Sequence, residues 1–495
     1  MSWHDQAQAI RIDARALIGG VRCESQSGDV LDVVSPLDGR VIAHATRGQL
    51  ADIDLAVASA RQVFVKRSWA SMAPANRKRV MLKWADLILA HKSELALLEC
   101  VDVGKPIQYA QSVDVNAAAR CIQWYAEAID KVYDEIAPTH ESALALIRRE
   151  AMGVIGCIVP WNYPMIMAAW KLGPAIACGN SVVLKPSEKS PLTAMRLAEL
   201  ALEAGLPPGV FNVVPGLGQE AGEALALHMD VDAIGFTGST RVGRKMYEYA
   251  GRSNLKRVFN ELGGKSANLV FEDFDDLERA ASTAASCICF NTGQSCNAPS
   301  RLLVQDTIAD EFVAMVAKHM KKQTPGDPLA DGTRLGSVVD RQQLNSILSY
   351  IDKGKAQGAN CLVGGNQVRG ESGGFFVEPT LFDGVTNDMT IAREEIFGPV
   401  LSVIRFNTEA QAISMANDSP YGLQAGVWST NINRAHRVAR QLRAGTVHVN
   451  QYDDDDITVP FGGYKQSGNG RDKSLHALEK YSELKTTWIR IDSEK

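Results

Sequence analysis

Cys296 stands just behind a helical run over 280–289 and the polar turn Phe290-Asn291-Thr292-Gly293-Gln294-Ser295. Turn chemistry of this kind tends to set a side chain at a surface or in a cleft. A cysteine there becomes a nucleophile when its surroundings stabilise the thiolate. The alternative is a small buried hydrophobe, the commoner fate of a free thiol. The choice rests on which other groups the fold can bring to the sulfur. Asn162, in Pro160-Trp161-Asn162-Tyr163-Pro164, follows a strand expected over 154–159. Its amide can donate an N–H to a developing oxyanion, or simply cap the helix that follows. Glu261, in Asn260-Glu261-Leu262-Gly263-Gly264-Lys265-Ser266, can draw a proton from water. The glycines beside it allow close approach of a ligand, and a surface glutamate is the plain alternative.

Three other stretches suit a dinucleotide. Lys185-Pro186-Ser187-Glu188 sets a lysine and a glutamate three residues apart at a strand end. Both can reach ribose hydroxyls, and the glutamate repels a 2′-phosphate, which favours NAD over NADP. Phe236-Thr237-Gly238-Ser239-Thr240-Arg241-Val242-Gly243 is a strand, a glycine turn and a helix start, whose free N–H groups and dipole suit a pyrophosphate. It is not a GxGxxG fingerprint. In Glu394-Glu395-Ile396-Phe397-Gly398-Pro399, Glu395 can bind a ribose and Phe397 can pack on a flat ring; otherwise this is a tight turn with a core phenylalanine.

The elements that must hold these residues form a repeating pattern. Strands are expected over 154–159, 181–185, 210–214, 233–236 and 257–260. Helices are expected between them, over 165–177, 192–204, 220–228 and 241–250. Such βα units make a doubly wound parallel sheet, which binds ligands beyond the carboxyl ends of its strands. Before it, strands over 30–34 and 40–45 and helices over 51–64, 74–103 and 113–132 are expected. After the Gly263-Gly264 hinge a second α/β region has candidate strands over 269–271, 302–304, 401–405, 425–428 and 446–449. Its helices are expected over 276–289, 308–322, 340–357, 408–417 and 432–442. Residues 134–150 and the strand-like 483–489 read as an arm that packs on another subunit. The division expected is 1–133 with 151–262 for the dinucleotide, 263–470 for catalysis, and 134–150 with 471–495 for oligomerisation.

With 495 residues the chain exceeds a single core. A net charge of −5 makes no case for nucleic acid. The first residues lack the basic and apolar regions of a leader, and no apolar run approaches a membrane span. A cytoplasmic protein is expected. The nine cysteines are scattered without a CxxC pair, which argues against a disulfide framework. Cys287 and Cys289 have no ligand cluster beside them, so no metal centre is expected.

Taken in order, the stretches 160–164, 185–188, 236–243, 261–265, 293–296, 394–399 and 460–468 resemble the NAD(P)-dependent aldehyde dehydrogenase superfamily over about residues 20 to 490. Within it the chain looks most like bacterial dehydrogenases that oxidise 4-aminobutyraldehyde, its γ-glutamyl derivative or 4-guanidinobutyraldehyde. Residues 465–485 carry much of that closer match. The resemblance implies a nucleophile at Cys296, an oxyanion hole from Asn162 and the Cys296 N–H, and a water-activating base at Glu261. It implies that Lys185, Ser187 and Glu188 hold the adenosine ribose, and that Gly238, Ser239 and Gly243 hold the pyrophosphate. Glu395 and Phe397 would meet the nicotinamide riboside, with Trp161 and Leu262 along the cofactor cleft. The product is a carboxylic acid, reached through a cysteine thiohemiacetal and thioester, and the assembly a homodimer or homotetramer. A CoA-acylating enzyme and a catalytically silent scaffold are the rival readings; Glu261 speaks against the first, and intact Cys296, Asn162 and Glu261 against the second.

In this superfamily the segment before Pro460-Phe461 lines the substrate tunnel, and here it is Tyr452-Asp453-Asp454-Asp455-Asp456. Carboxylates such as Asp453 and Asp455 would attract an ammonium or guanidinium tail, and Tyr163, Trp170 and Phe461 would give it an aromatic wall. Were the acidic run only a solvated loop, a hydrophobic tunnel with Met167 and Trp170 would favour aliphatic or aromatic aldehydes.

Overall fold

In the computed structural model, which describes residues 2–492, the chain folds around two large sheets. Residues 493–495, the end of the expected arm, and Met1 lie outside the described residues. Among the described residues the first sheet has seven strands, in the order Arg257–Glu261, Ala233–Thr237, Val154–Ile158, Ser181–Lys185, Phe211–Val213, Ala16–Ile18 and Val21–Cys23. The first five run parallel, and the last two join antiparallel at the edge. Its strands are near-continuous apolar runs because helices cover both faces. Strand alternation deals their side chains to two cores. Val182 and Leu184 pack with the helices Pro74–Ala90, Pro164–Ala177 and Leu192–Ala204. Val183, Ile234 and Phe236 pack with Leu50–Val65 and Thr240–Arg252. The doubly wound reading is therefore visible residue by residue.

The second sheet has seven strands among the described residues, ordered Asn360–Val363, Thr380–Asp383, Val400–Phe406, Arg301–Gln305, Ala267–Val270, Gln424–Trp428 and Thr446–Val449. All pairs are parallel except the outer one of Asn360–Val363 with Thr380–Asp383. Those two strands are absent from the sequence reading: they pair antiparallel at the sheet's outer edge, and Asn360–Val363 there has an exposed Leu362 and no long apolar run of its own. The helix expected over 74–103 is two helices, Pro74–Ala90 and Lys92–Val103, broken at His91 (φ −96°, ψ 21°). Its second half is buried from Leu95 to Val103, so it turns to follow the core. The helix expected over 113–132 opens as a wide π turn, Ala110–Val115, and runs as Asn116–Ala128.

The register brings the chemistry to one rim. Thr237 pairs with Glu261, and Ile158 with Lys185, so the carboxyl ends of four adjacent strands end level. The second sheet turns its strand starts toward that rim. Cys296 precedes Arg301–Gln305, and Glu395 precedes Val400–Phe406. A smaller sheet pairs Ser482–Arg490 with Ala143–Ala151 along nine residues, with Glu135–Ala137 beyond it. Residues between the second core and that strand fold back on the first sheet, where Tyr481 is fully buried.

Candidate active site

The nucleophile turn is strained and tied down. The helix Leu277–Cys289 ends, and Asn291 (φ 49°), Thr292 (φ 55°) and Gly293 (φ 69°) follow in the left-handed region. A β-branched residue there costs on the order of 1–3 kcal/mol and persists only where neighbours impose it. Asn291 Nδ2 donates to the Asn162 carbonyl at 2.9 Å, and Asn162 Nδ2 donates to the Gln294 carbonyl at 2.9 Å. Gln294 Oε1 accepts the Val339 N–H at 3.0 Å. The buried Asn162 amide is thus anchored two residues before Cys296, and the amide nitrogen keeps a second N–H to give. Gly264 is needed beside it: a Cβ there would lie 2.3 Å from the Cys296 carbonyl. Burial pushes the half-buried Cys296 thiol well up, and Glu395 and Glu261 add to the shift. The thiol needs a proton acceptor or a positive charge beside it to react.

Glu261 ends its strand buried, with neither carboxyl oxygen hydrogen-bonded within the protein. Burial first, then the charge of Asp472, lifts it well above the usual carboxylate range, while Lys171 and Lys480 pull the other way. Asp472 itself is buried between the ammonium groups of those two lysines. Raising a carboxyl makes its ionised form a stronger base.

One cavity of about 830 Å³ joins these groups to most of the others named from sequence. Cys296, Asn162 and Glu261 all line it. Trp161, Lys185, Ser187, Glu188, Gly238, Ser239 and Leu262 line its first-sheet side, with Glu395 and Phe397 across from them. Gly243 is not on the wall. A Cβ there would sit 2.5 Å from Leu262 Cδ2, so it is the glycine that lets the helix Thr240–Arg252 seat against Leu262. Lys185 Nζ lies 3.2 Å from Glu188 Oε2. Ser239 caps the helix by accepting the Val242 N–H at 3.4 Å, and the Thr237 hydroxyl, on the cavity wall, has no hydrogen-bond partner among the described residues. Glu395 accepts the Gly264 N–H at 2.9 Å, and burial raises its carboxyl to about 7. The Trp161 and Phe397 rings meet edge to face at 5.2 Å.

The other end of the cavity is aromatic and acidic. Tyr163, Met167, Trp170 and Phe461 line it, as do Asp453 and Asp455. Tyr163 Oη is 2.5 Å from Ser295 Oγ, and the Trp170 and Phe461 rings are 5.0 Å apart. All four aspartates of the acidic run are exposed, but Asp454 and Asp456 are off the wall, and Asp456 lies 3.6 Å from Arg120. Asp453 accepts from Asn297 Nδ2 at 2.5 Å. Its residue reaches solvent, yet the protein crowds its carboxyl enough to raise it to about 6.

Sequence reasoning missed the cations behind the site. Lys171 lies in a helix, Pro164–Ala177, that is otherwise apolar and buried throughout. A lone charge in such a helix demands a counter-ion, but the partner, Asp472, is 301 residues away. Lys473 and Lys480 gave no signal beyond a charged tail. Among the described residues, no group of histidine, cysteine and acidic side chains could hold a metal ion, and no helix is long and apolar enough to cross a membrane.

Comparison with known proteins agrees with this architecture. The model of the aldehyde dehydrogenase family matches residues 23–487. The NADP/NAD-dependent aldehyde dehydrogenase PuuC of Escherichia coli is 52% identical over 491 residues, covering 99% of this chain and 98% of its own. The solved structure of an indole-3-acetaldehyde dehydrogenase complexed with NAD+ superposes with a TM-score of 0.98 at 55% identity, covering 99% of each chain. A γ-glutamyl-γ-aminobutyraldehyde dehydrogenase from Burkholderia cenocepacia superposes with a TM-score of 0.97 at 54% identity, again over 99% of each. With a thiol, an anchored amide and a raised carboxyl on one cavity wall, and this likeness along nearly the whole length, the chain belongs to the aldehyde dehydrogenase family.

Proposed function

We propose that this aldehyde dehydrogenase oxidises amino- or guanidino-aldehydes to carboxylic acids with NAD, using Cys296, Asn162 and Glu261. The observation that carries it is their meeting on one wall, where strand ends of the first sheet face strand starts of the second. The cavity fits NAD on its own features. The Lys185–Glu188 pair suits a ribose, and the start of a 13-residue helix, next to the unpartnered Thr237 hydroxyl on the wall, suits a pyrophosphate. Glu395 and Phe397 lie where the riboside and the flat ring would rest. When bound, NAD supplies the hydride acceptor.

The residues divide the work as follows. Cys296 loses its proton to Glu261 and attacks the carbonyl carbon. Asn162 Nδ2 and the Cys296 N–H hold the resulting alkoxide, at about 2.7–4 kcal/mol per donor. After oxidation Cys296 holds the acyl group as a thioester. Glu261 passes that first proton to solvent, then takes one from the water that cleaves the thioester; the acid leaves and Cys296 departs as thiolate, ready for the next aldehyde. Each turnover consumes one aldehyde, one NAD and one water.

The preference for a cationic tail is supported by Asp453 and Asp455 on the wall; the γ-glutamyl-γ-aminobutyraldehyde named for one relative brings an ammonium too, beside a carboxylate of its own. A broad aliphatic or aromatic preference is the second reading. It is favoured by the Met167, Trp170 and Phe461 surface and by the indole-3-acetaldehyde dehydrogenase likeness. Nine free cysteines fit a reducing, cytoplasmic setting, and the exposed apolar strand Ser482–Arg490 fits a homodimer or homotetramer. Cys296→Ala removes aldehyde-dependent NADH formation; persistent turnover would reject the assignment. A panel of 4-guanidinobutyraldehyde, octanal and an aromatic aldehyde decides between the substrate readings by kcat/KM.

A further inference from the structure

The acidic run shows the cavity less charge than it carries. Asp453 and Asp455 are its two carboxylates on the wall, and Asp455 already has a partner. The Lys473 ammonium is ion-paired with the Asp455 carboxylate and donates to the Asp456 carbonyl at 2.9 Å. The Lys473 side chain is 2% exposed and lies outside the cavity lining. From there its ammonium stands 5.5 Å from the centre of the Trp170 ring and 5.8 Å from that of Phe461. Both rings belong to the wall. A buried ammonium needs its counter-ion, so Asp455 stays where Lys473 is. Two rings that already share one cation attract a second less strongly. Among the described residues Asp453 is in no ion pair; its bonded partner is the neutral Asn297 amide, next in the chain to Cys296, and the Lys473 charge reaches it only from farther away.

We propose that Lys473 is a specificity-determining positioning residue. It occupies Asp455 and the Trp170–Phe461 pair, so the tunnel offers the substrate one carboxylate outside an ion pair, Asp453, and Lys473 sets how strongly a cationic tail is preferred. This rests on the cationic-aldehyde reading above and adds to it a named residue that limits the preference.

The test is the ratio of kcat/KM for 4-guanidinobutyraldehyde to that for hexanal, at saturating NAD, in the full-length protein and four variants. Lys473→Met frees Asp455 and raises the ratio roughly tenfold, the size of one partly screened charge step. Asp455→Asn leaves the ammonium unopposed and lowers it by a similar factor. The double variant Lys473→Met/Asp455→Asn removes both charges and returns the ratio to within about threefold of the unmodified protein, since paired changes cancel. Lys473→Arg keeps the ratio. In each case the change falls in KM for the cationic aldehyde, which a merely structural lysine would not single out. A ratio that Lys473→Met leaves unchanged or lowers overturns the proposal. If that variant does not fold, Asp455→Asn and the double variant decide: equal ratios in these two overturn it, and a recovered ratio in the double supports it. A native ratio near one, with the variants still moving as stated, removes the cationic-substrate reading and supports Lys473 only as the residue that cancels the Asp455 charge. A strong native preference that no variant moves removes Lys473 alone.

Discussion

At Asn162 the side chain that steadies the turn before Cys296 is also the one assigned to the oxyanion in the proposed mechanism. One N–H is spent on the Gln294 carbonyl, and the turn in exchange holds the Asn162 carbonyl through Asn291. Asn162→Ala therefore removes an oxyanion donor, and kcat should fall about 10²–10³-fold. Steady-state kinetics with a neutral aldehyde checks this; a loss confined to KM would place the amide outside the transition state. Asp453 yields a pH test with a definite sign. Crowding raises its carboxyl to about 6, so it is neutral below that pH and charged above it. A guanidinium tail keeps its charge throughout. Preference for 4-guanidinobutyraldehyde over hexanal should therefore weaken as pH falls from 7.5 to 5, with its midpoint near 6, and Asp453→Asn should flatten that dependence. Taking the ratio cancels the titration of Glu261 and Cys296, which both substrates share.

Elements fix how these groups meet, and a buried charge holds two of them together. The helix Pro164–Ala177 carries Trp170 on the wall and Lys171 behind it, and Lys171 and Lys480 close on Asp472. Asp472→Asn leaves two buried ammonium groups without their carboxylate, which should cost about 3–5 kcal/mol. Equilibrium urea unfolding reads that directly, and a loss under about 1 kcal/mol would mean the lysines find other partners. What the chain discloses of itself divides along the same line. Ser181–Lys185, Leu192–Ala204 and Thr446–Val449 are found to the residue, because each is a locally patterned run with its own stop. Cys296, Asn162 and Glu261 stand out because turn residues flank them at strand or helix ends. The break at His91 and the strands Asn360–Val363 and Thr380–Asp383 depend on packing that no window of sequence contains. The same holds for Lys171, Lys473 and Lys480, which are ordinary lysines until the tail folds back on the first sheet. Gly243 misled for a related reason: a glycine in a helix start suits a phosphate or a close helix–sheet contact equally, and only the fold distinguishes them.

Among the described residues the small sheet ends on an exposed apolar strand. Ser482–Arg490 pairs on one side with Ala143–Ala151, and its apolar side chains face water: Leu484 is 61% exposed, Trp488 64% and Ile489 43%, with Ile136 at 69% on the same small sheet. A soluble chain blunts such an edge with charge or covers it. Lys485 and Arg490 interrupt this strand without removing its apolar stretch. A second copy of the chain is the cover that the family resemblance implies. In that assembly Trp488 is buried, so Trp488→Asp places a carboxylate in an apolar contact and should weaken association at least about tenfold. The same change touches no core contact within the chain, so the folded protomer should lose no more than about 0.5 kcal/mol. Sedimentation velocity across a dilution series reads the first effect, and urea unfolding of the dissociated protomer reads the second. A native protein that sediments as a monomer at every concentration would show that this edge is left open, and that the arm serves the protomer alone.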